Sequence, residues 1–277
     1  MKTGAIVQAR ASSTRLPGKV LKDLPYGSGI TVLEQVIRRL KRSEKLDTVI
    51  IATTLDIRDD EVVKIANKEK VPYYRGDMND LLSRYYHTAV EYDLDIIVRI
   101  TSDCPVIDPK VVDQVVGRFF ERKLDYTTNT LKRTYPHGMD VEVFTFYALE
   151  KSYRMAQKDY EREHVTPYIR MHPEMFKLAN IEAPEELYGP DIRVTLDTEE
   201  DYALLCAIYD YLYFSDPYFT VRDIIKLIED KPWLRLINNK VVQKKILNSL
   251  EEEIDEAVKI LELQDLKRAA ECLRRCV

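Results

Sequence analysis

At 277 residues the chain is long enough for one large domain or two small ones, and its 45% hydrophobic content supplies a core of that size. A formal charge of −5 argues against a sequence-blind nucleic-acid binder, which needs a basic excess. No apolar run approaches the roughly 18 residues of a membrane-spanning helix.

The four cysteines, at 104, 206, 272 and 276, contain no CxxC pair. That fits neither a disulfide framework nor a zinc ribbon, and the expectation is a reducing, cytoplasmic setting. The first residues run straight into strand-like sequence, so no secretory leader is expected.

The apolar run Ala5-Ile6-Val7 reads as a buried strand. The loop after it concentrates Arg10, Arg15 and Lys19 with Ser12, Ser13, Thr14 and Gly18. Cations, hydroxyls and backbone N–H groups in one loop make a polyphosphate cradle or, on the plainer reading, a solvated charged surface. It is not a Walker A loop, whose first glycine would fall at Ser13 and whose hydroxyl would fall at Val20. The turn Pro25-Tyr26-Gly27-Ser28-Gly29 leads into a helical stripe at 32, 33, 36, 37 and 40. A β-branched strand is expected at 48–53, a helix at 60–68, a short strand at 71–74, a helix at 81–92 and a buried strand at 96–100. This alternation predicts βαβ units and a mostly parallel sheet. Such sheets bind ligands at the carboxyl ends of their strands. The segments to examine are therefore 9–19, Thr53-Thr54, Arg75-Gly76-Asp77 and Thr101-Ser102-Asp103-Cys104-Pro105.

Further on, strands are expected at 126–130 and 140–144 around the loop Tyr135-Pro136-His137-Gly138-Met139. A helix follows at 146–155, and another opens at Glu161 and runs to residue 171. Strands are expected at 176–181 and 193–196, then a helix at 199–212. No Gly/Ser linker sets this part off, so it reads as a lobe on the same sheet. From Val241 the pattern is one long, interrupted, charged helix. Leu247, Leu250, Ile254, Val258 and Leu261 form an apolar stripe, continued by Leu266, Ala270 and Leu273. That stripe suits a helix packed on its own domain, a helical hairpin or a dimer arm.

Asp103 stands just past the 96–100 strand, and Asp197 follows the expected 193–196 strand. Each could be a turn or cap residue. As a pair, two carboxylates from two strand ends can grip one hard cation such as Mg²⁺ beside a triphosphate. Cys104 has no histidine nearby in sequence and reads as a small buried side chain rather than a nucleophile. Base recognition, for a bound nucleotide, is expected near Ala9, Ala52, Thr53, Thr54 and Arg99. Arg99 also suits an ion pair at the edge of the core.

Gln8-Ala9-Arg10 with Ser13-Thr14-Arg15-Leu16-Pro17-Gly18-Lys19-Val20-Leu21 closely resembles the opening signature of the cytidylyltransferase family. That family includes the CMP-KDO and acylneuraminate enzymes, and the nearest branch is the one similar to spore-coat polysaccharide biosynthesis protein F. The segments 134–142 and 161–167 resemble its second and third signatures. One departure is Ser12, where the branch usually has glycine. The resemblance covers residues 1 to about 230. It implies a Rossmann-like three-layer α/β nucleotidyltransferase fold with a mostly parallel sheet in residues 1–230. Residues 1–125 would be the nucleotide-binding half and 126–215 the acceptor and dimerisation lobe, with 231–277 a C-terminal helical extension.

The resemblance also implies transfer of CMP from CTP to a small acidic acceptor, a sugar acid or a phosphorylated metabolite, with release of pyrophosphate. Asp103 and Asp197 match the family's metal ligands, for Mg²⁺. Arg10, Lys19, Asp103 and Asp197 are the expected catalytic residues. Ala9, Ser12, Ser13, Arg15, Thr53, Thr54, Arg99 and Thr101 join Arg10, Lys19 and Asp103 around the nucleotide. Arg75, Asn129, His137, Asp140, Glu142, Arg162 and His164 are expected around the acceptor, with Arg84 a further cation for a phosphate or carboxylate. Family members are commonly homodimers. A glycosyltransferase acting on nucleotide sugars in surface-polysaccharide synthesis is the competing enzymatic expectation. Ser102-Asp103-Cys104 supplies only one aspartate of the Asp-x-Asp motif that such an enzyme usually carries. A non-catalytic nucleotide sensor is the third reading.

Overall fold

Apolar runs that no surface can solvate become the middle of one sheet. The computed structural model describes residues 1–13, 15–241 and 249–275. In chain order it places β1 (Thr3–Gln8), α1 (Val32–Leu40), β2 (Thr48–Thr54), α2 (Asp60–Lys68), β3 (Tyr73–Gly76), α3 (Leu81–Glu91) and β4 (Ile96–Thr101). There follow α4 (Pro109–Arg122), β5 (Tyr126–Thr128), β6 (Glu142–Thr145), α5 (Phe146–Met155), α6 (Asp159–His164), α7 (Pro167–Met171) and β7 (Leu178–Asn180). Helices α8 (Glu199–Leu212), α9 (Val221–Asp230) and α10 (Arg235–Asn238) complete a first unit, residues 1–240.

The seven strands lie in the order β3-β2-β1-β4-β6-β5-β7. β6 alone runs against its neighbours. Along β1 the side chains alternate between two cores. Ala5 and Val7 join α1, α2, α4, α8 and α9 on one face. Ile6 joins α3, α5 and α7 on the other. The chain therefore has helices on both faces of an open, mostly parallel sheet. From β1 the chain moves outward to β2 and β3, then returns across the sheet to β4. The strand order thus reverses at the crevice between β1 and β4, where such sheets bind ligands.

Two expectations need correction. Residues 193–196 form no strand among the described residues. Val194 and Leu196 are buried, but the segment's only ladder partner is an isolated bridge from Arg193 to His137. The helix expected from Glu161 to residue 171 is two helices, α6 and α7, separated at Val165 (φ 70°) and restarted at Pro167. The C-terminal pattern, read as interrupted and as suiting a helical hairpin, does form two helices. Residues 241–277 are a separate unit, in which α11 (Leu250–Leu263) and α12 (Lys267–Arg274) are joined at Asp265 (φ 58°). Arg274 pairs with Glu262 at 2.5 Å across this helical hairpin. Leu247 of the expected stripe, Thr14 of the first loop and Cys276 lie outside the described residues.

Helices α4 and α9, which had no counterpart in the expectations, share one anchor. Asp108 accepts from Lys110 N at 2.9 Å as the cap of α4, and from Val221 N at 2.9 Å at the start of α9. Asp108→Ala would orphan two backbone donors at a buried junction. It is expected to lower stability by about 2 kcal/mol in urea unfolding, without changing the slope of the transition.

Candidate active site

The loop after β1 is held open by its own backbone and by the neighbouring strand. Ala11 N donates to Asp59 Oδ1 at 2.6 Å, and Thr54 at the end of β2 donates to the other Asp59 oxygen. Gly18 N closes the loop on Ala11 O at 3.1 Å. Gly18 itself sits at φ 66°, a conformation that favours glycine, and turns the chain into a short 3₁₀ segment headed by Lys19.

Lys19 is thereby aimed across the crevice. Its ammonium donates to Asp103 Oδ2 at 2.8 Å, Asp197 Oδ1 at 2.9 Å and the Leu196 carbonyl at 2.9 Å. Asp103 follows β4, and its backbone carbonyl accepts from Leu196 N at 2.8 Å and from the Thr195 hydroxyl at 3.0 Å. Those two bonds stitch the 193–197 segment to the end of β4 and set the carboxylates side by side. Neither aspartate is a helix cap. Asp108 caps α4, and α8 is capped by Thr198 with Asp201 as its reciprocal partner.

Burial raises the Asp103 carboxyl, but Lys19 and the Thr101 hydroxyl outweigh it and hold the group down to about 2. Burial lowers the Lys19 ammonium, and the two carboxylates outweigh that and raise it. Both partners are thus charged across the neutral range.

Around Asp197 the charges alternate. Arg15 reaches its Oδ1 at 2.9 Å and Arg193 its Oδ2 at 3.1 Å. Arg193 also pairs with Asp201 through two contacts of 2.8 Å, and its Nη1 meets His137 Nδ1 at 3.1 Å. Burial pushes His137 below its ordinary value, against the pull of Asp140. The ring is therefore neutral and accepts at Nδ1 from Arg193. Asp140 takes a two-pronged bond from Arg133 at 2.6 and 2.8 Å. Gly138 makes this approach possible. At φ 119°, a Cβ there would lie 2.8 Å from the backbone of Val194.

The structure thus brings together Arg15, Lys19, Thr101, Asp103 and Asp197, with His137 and Asp140 at one border. Arg10 is exposed, and Ser12 and Ser13 are half-buried on the loop above. Ala9, Thr53 and Thr54 are buried at the ends of β1 and β2, and Ala9 N bonds Ala52 O at 3.1 Å. His164, half-buried, ends α6.

Other expected substrate contacts are engaged within the protein. Arg75 is spent on Asp60 and on the carbonyls of Thr54 and Asp56. Arg162 is spent on Asp80 at 2.5 Å and on two carbonyls. Asn129 bridges Met139 O and Val141 N. Arg99 and Glu142 form a buried pair that Gln8, Tyr126 and Thr166 complete. A charge buried in the sheet needs its partner, and in the ligand-free chain these residues satisfy one another. Cys104 is buried, and burial pushes its thiol well above the ordinary range, which excludes a thiolate nucleophile. Arg193, Asp201 and Arg133 were missed. Of these, only Arg193 had a signal, its spacing of four from Asp197.

The cytidylyltransferase family model matches residues 4–230. An uncharacterized protein of Methanocaldococcus jannaschii is 38% identical, over 88% of this chain and 97% of its own length. The spore coat polysaccharide biosynthesis protein SpsF of Bacillus subtilis is 33% identical, over 82% of this chain and 94% of its own. The solved structure of a cytidylyltransferase from Leptospira borgpetersenii superposes with a TM-score of 0.78 at 38% identity, covering 90% of this chain and all of that one.

Two outcomes follow from the geometry. Asp103 is depressed in the fold, so the stability it contributes is full above its unfolded value near 3.9 and is lost as pH falls through about 2. In the metal-free protein, urea midpoints are expected to drop across that window by about 2 kcal/mol of stability. Lys19→Met, which leaves only Thr101 and its neighbours to oppose burial, should shrink that drop. Gly138→Ala is expected to cost about 2 kcal/mol, by forcing a side chain into a left-handed position against Val194. Thermal unfolding would register it.

Proposed function

We propose that this chain, which belongs to the cytidylyltransferase family and is a nucleotidyltransferase, moves CMP from CTP onto a small acidic acceptor and releases pyrophosphate. The observation that carries the reading is the convergence of Lys19 on Asp103 and Asp197 at the β1–β4 crevice, beneath a loop bearing Arg10 and Arg15. Acceptors of this kind are sugar acids, attacking through a hydroxyl, and phosphorylated metabolites, attacking through phosphate.

The acceptor oxygen bonds to the α-phosphorus of CTP as the bond from that phosphorus to the β-phosphate oxygen breaks; a hydroxyl acceptor gives its proton to water, and a phosphate acceptor attacks as the anion. Lys19 holds negative phosphate oxygens, exchanging its two carboxylate partners for them. Arg10 and Arg15, on the same loop, take the charge that builds on the departing pyrophosphate. Thr101 keeps Asp103 oriented, and Arg193 does the same for Asp197. Neutral His137 leaves the local charge to the arginines and carboxylates beside it.

The donor set also fits a hard divalent cation. Three oxygens, from Asp103, Asp197 and the Leu196 carbonyl, already converge on one cationic atom. Asp103 and Asp197 would hold Mg²⁺. When bound, it would neutralise phosphate charge and lower the pKa of an attacking hydroxyl.

The test is pyrophosphate release with Mg²⁺, each of the four nucleoside triphosphates being offered with sugar acids and phosphorylated acids. The expected result is a CTP-selective signal with one acceptor class, reduced by about 100-fold or more in Asp103→Ala and in Lys19→Ala. Sugar transfer from a nucleotide sugar, without pyrophosphate, would overturn the reading.

A further inference from the structure

Arg84, on α3, is 4% exposed, and its Nε is buried without a partner. Among the described residues, neither a carboxylate nor a carbonyl nor a hydroxyl bonds the rest of its guanidinium. This sets it apart from Arg75, Arg99, Arg133, Arg162 and Arg193, each of which is bonded within the chain. A buried guanidinium has five donors to satisfy, and leaving them unmet is costly. A protein that keeps one in this state stabilises it when something else binds.

Its position is well defined. The next residue, Tyr85, donates to Ile6 O and Gln8 Oε1, both at 3.1 Å, and so docks this turn of α3 on the end of β1. The Arg84 stem passes Gly76 at the end of β3. A Cβ on Gly76 would lie 3.3 Å from Arg84 Cγ and 2.9 Å from the Tyr74 ring, so the glycine leaves the room the stem uses. Among charged neighbours, Arg10 acts unfavourably on the guanidinium and Asp59 and Asp77 act favourably. Asp59 is already committed to Ala11 N and Thr54. The Arg84 head thus belongs to the β2–β3 side of β1, whereas Asp103 and Asp197 stand on the β4 side.

What the guanidinium lacks is hydrogen-bond acceptors. We propose that Arg84 selects the nucleobase, its paired N–H groups donating to O2 and N3 of cytosine. This deepens the CTP reading given above and rests on it. Cytosine offers two adjacent acceptors on that edge, which matches the guanidinium fork. Uracil carries a hydrogen on N3, so one donor would face another, and a buried donor left unpaired is a strong ground for rejection. The role expected of Arg99 passes to Arg84, because Arg99 is committed to Glu142.

The experiment compares wild type with Arg84→Met and Arg84→Lys. It measures pyrophosphate release and calorimetric binding with CTP and UTP, and thermal unfolding without ligand. Methionine keeps most of the stem's volume and removes the unpaired charge. The expected result is a fall of about 10- to 100-fold in the CTP:UTP ratio of kcat/KM in both variants. CTP binding should weaken, UTP binding should change little, and the ligand-free Tm of Arg84→Met should be no lower than that of wild type. Equal weakening of both nucleotides would overturn the proposal by making Arg84 a phosphate contact. An unchanged ratio with a lowered Tm would overturn it by making Arg84 a structural residue. A wild-type protein without preference for CTP would overturn the cytidylyl reading itself, and this one with it.

Discussion

One ammonium group organises the centre of this molecule. Lys19 bonds residues 84 and 178 positions away in sequence, so its three contacts draw the loop after β1, the end of β4 and the segment before α8 into a single cluster. Two half-buried carboxylates that share one ammonium would repel one another without a cation between them. On the proposed function, a group that neutralises two carboxylates from within the protein would hand that task to a bound cation and turn its own charge toward phosphate.

The backbone supplies the precision that the charges exploit. Leu196 N and the Thr195 hydroxyl both reach the Asp103 carbonyl, and the bridge between Arg193 and His137 lies just upstream. Side chains on either flank inherit their positions from these main-chain contacts. Arg193 then carries the order outward, to Asp201 and His137, so that the cluster continues as alternating charges without an uncompensated member. Asn238 at the end of α10 closes the far side, donating to Arg193 O at 3.1 Å and to Asp201 at 2.9 Å.

Much of this was legible in the sequence. The central strands announced themselves as apolar runs between helical stripes, and the loops at their carboxyl ends were the correct place to look for polar chemistry. Residues 193–196 misled because burial alternates there as it does in a strand, while no neighbouring strand offers a full ladder. Helices α6 and α7 were read as one because periodicity cannot register a single left-handed residue at Val165. At the site, the loop cations and the two aspartates were identifiable from position. The identities of Arg75, Arg99, Glu142 and Arg162 suggested ligand contacts, yet each found its counter-charge inside the protein. Sequence lists charges but does not pair them, and for the same reason it could not show that Arg84 goes unpaired.

The single reversed strand, β6, has a further consequence. Because it runs opposite to β4, its beginning rather than its end lies at the crevice, and the chain reaches the site on the way into β6. The loop carrying His137 and Asp140 is therefore tethered at both ends to one sheet, by β5 before it and β6 after it. Lengthening such a loop adds closure entropy that grows only slowly with the number of residues, and neither flanking strand has to move. The border of the candidate site opposite the loop after β1 can accordingly be rebuilt by insertion, while the half that carries Lys19 keeps its geometry. On the proposed function, this would be a division of labour within one sheet, under which new acceptors could be accommodated without renegotiating the chemistry.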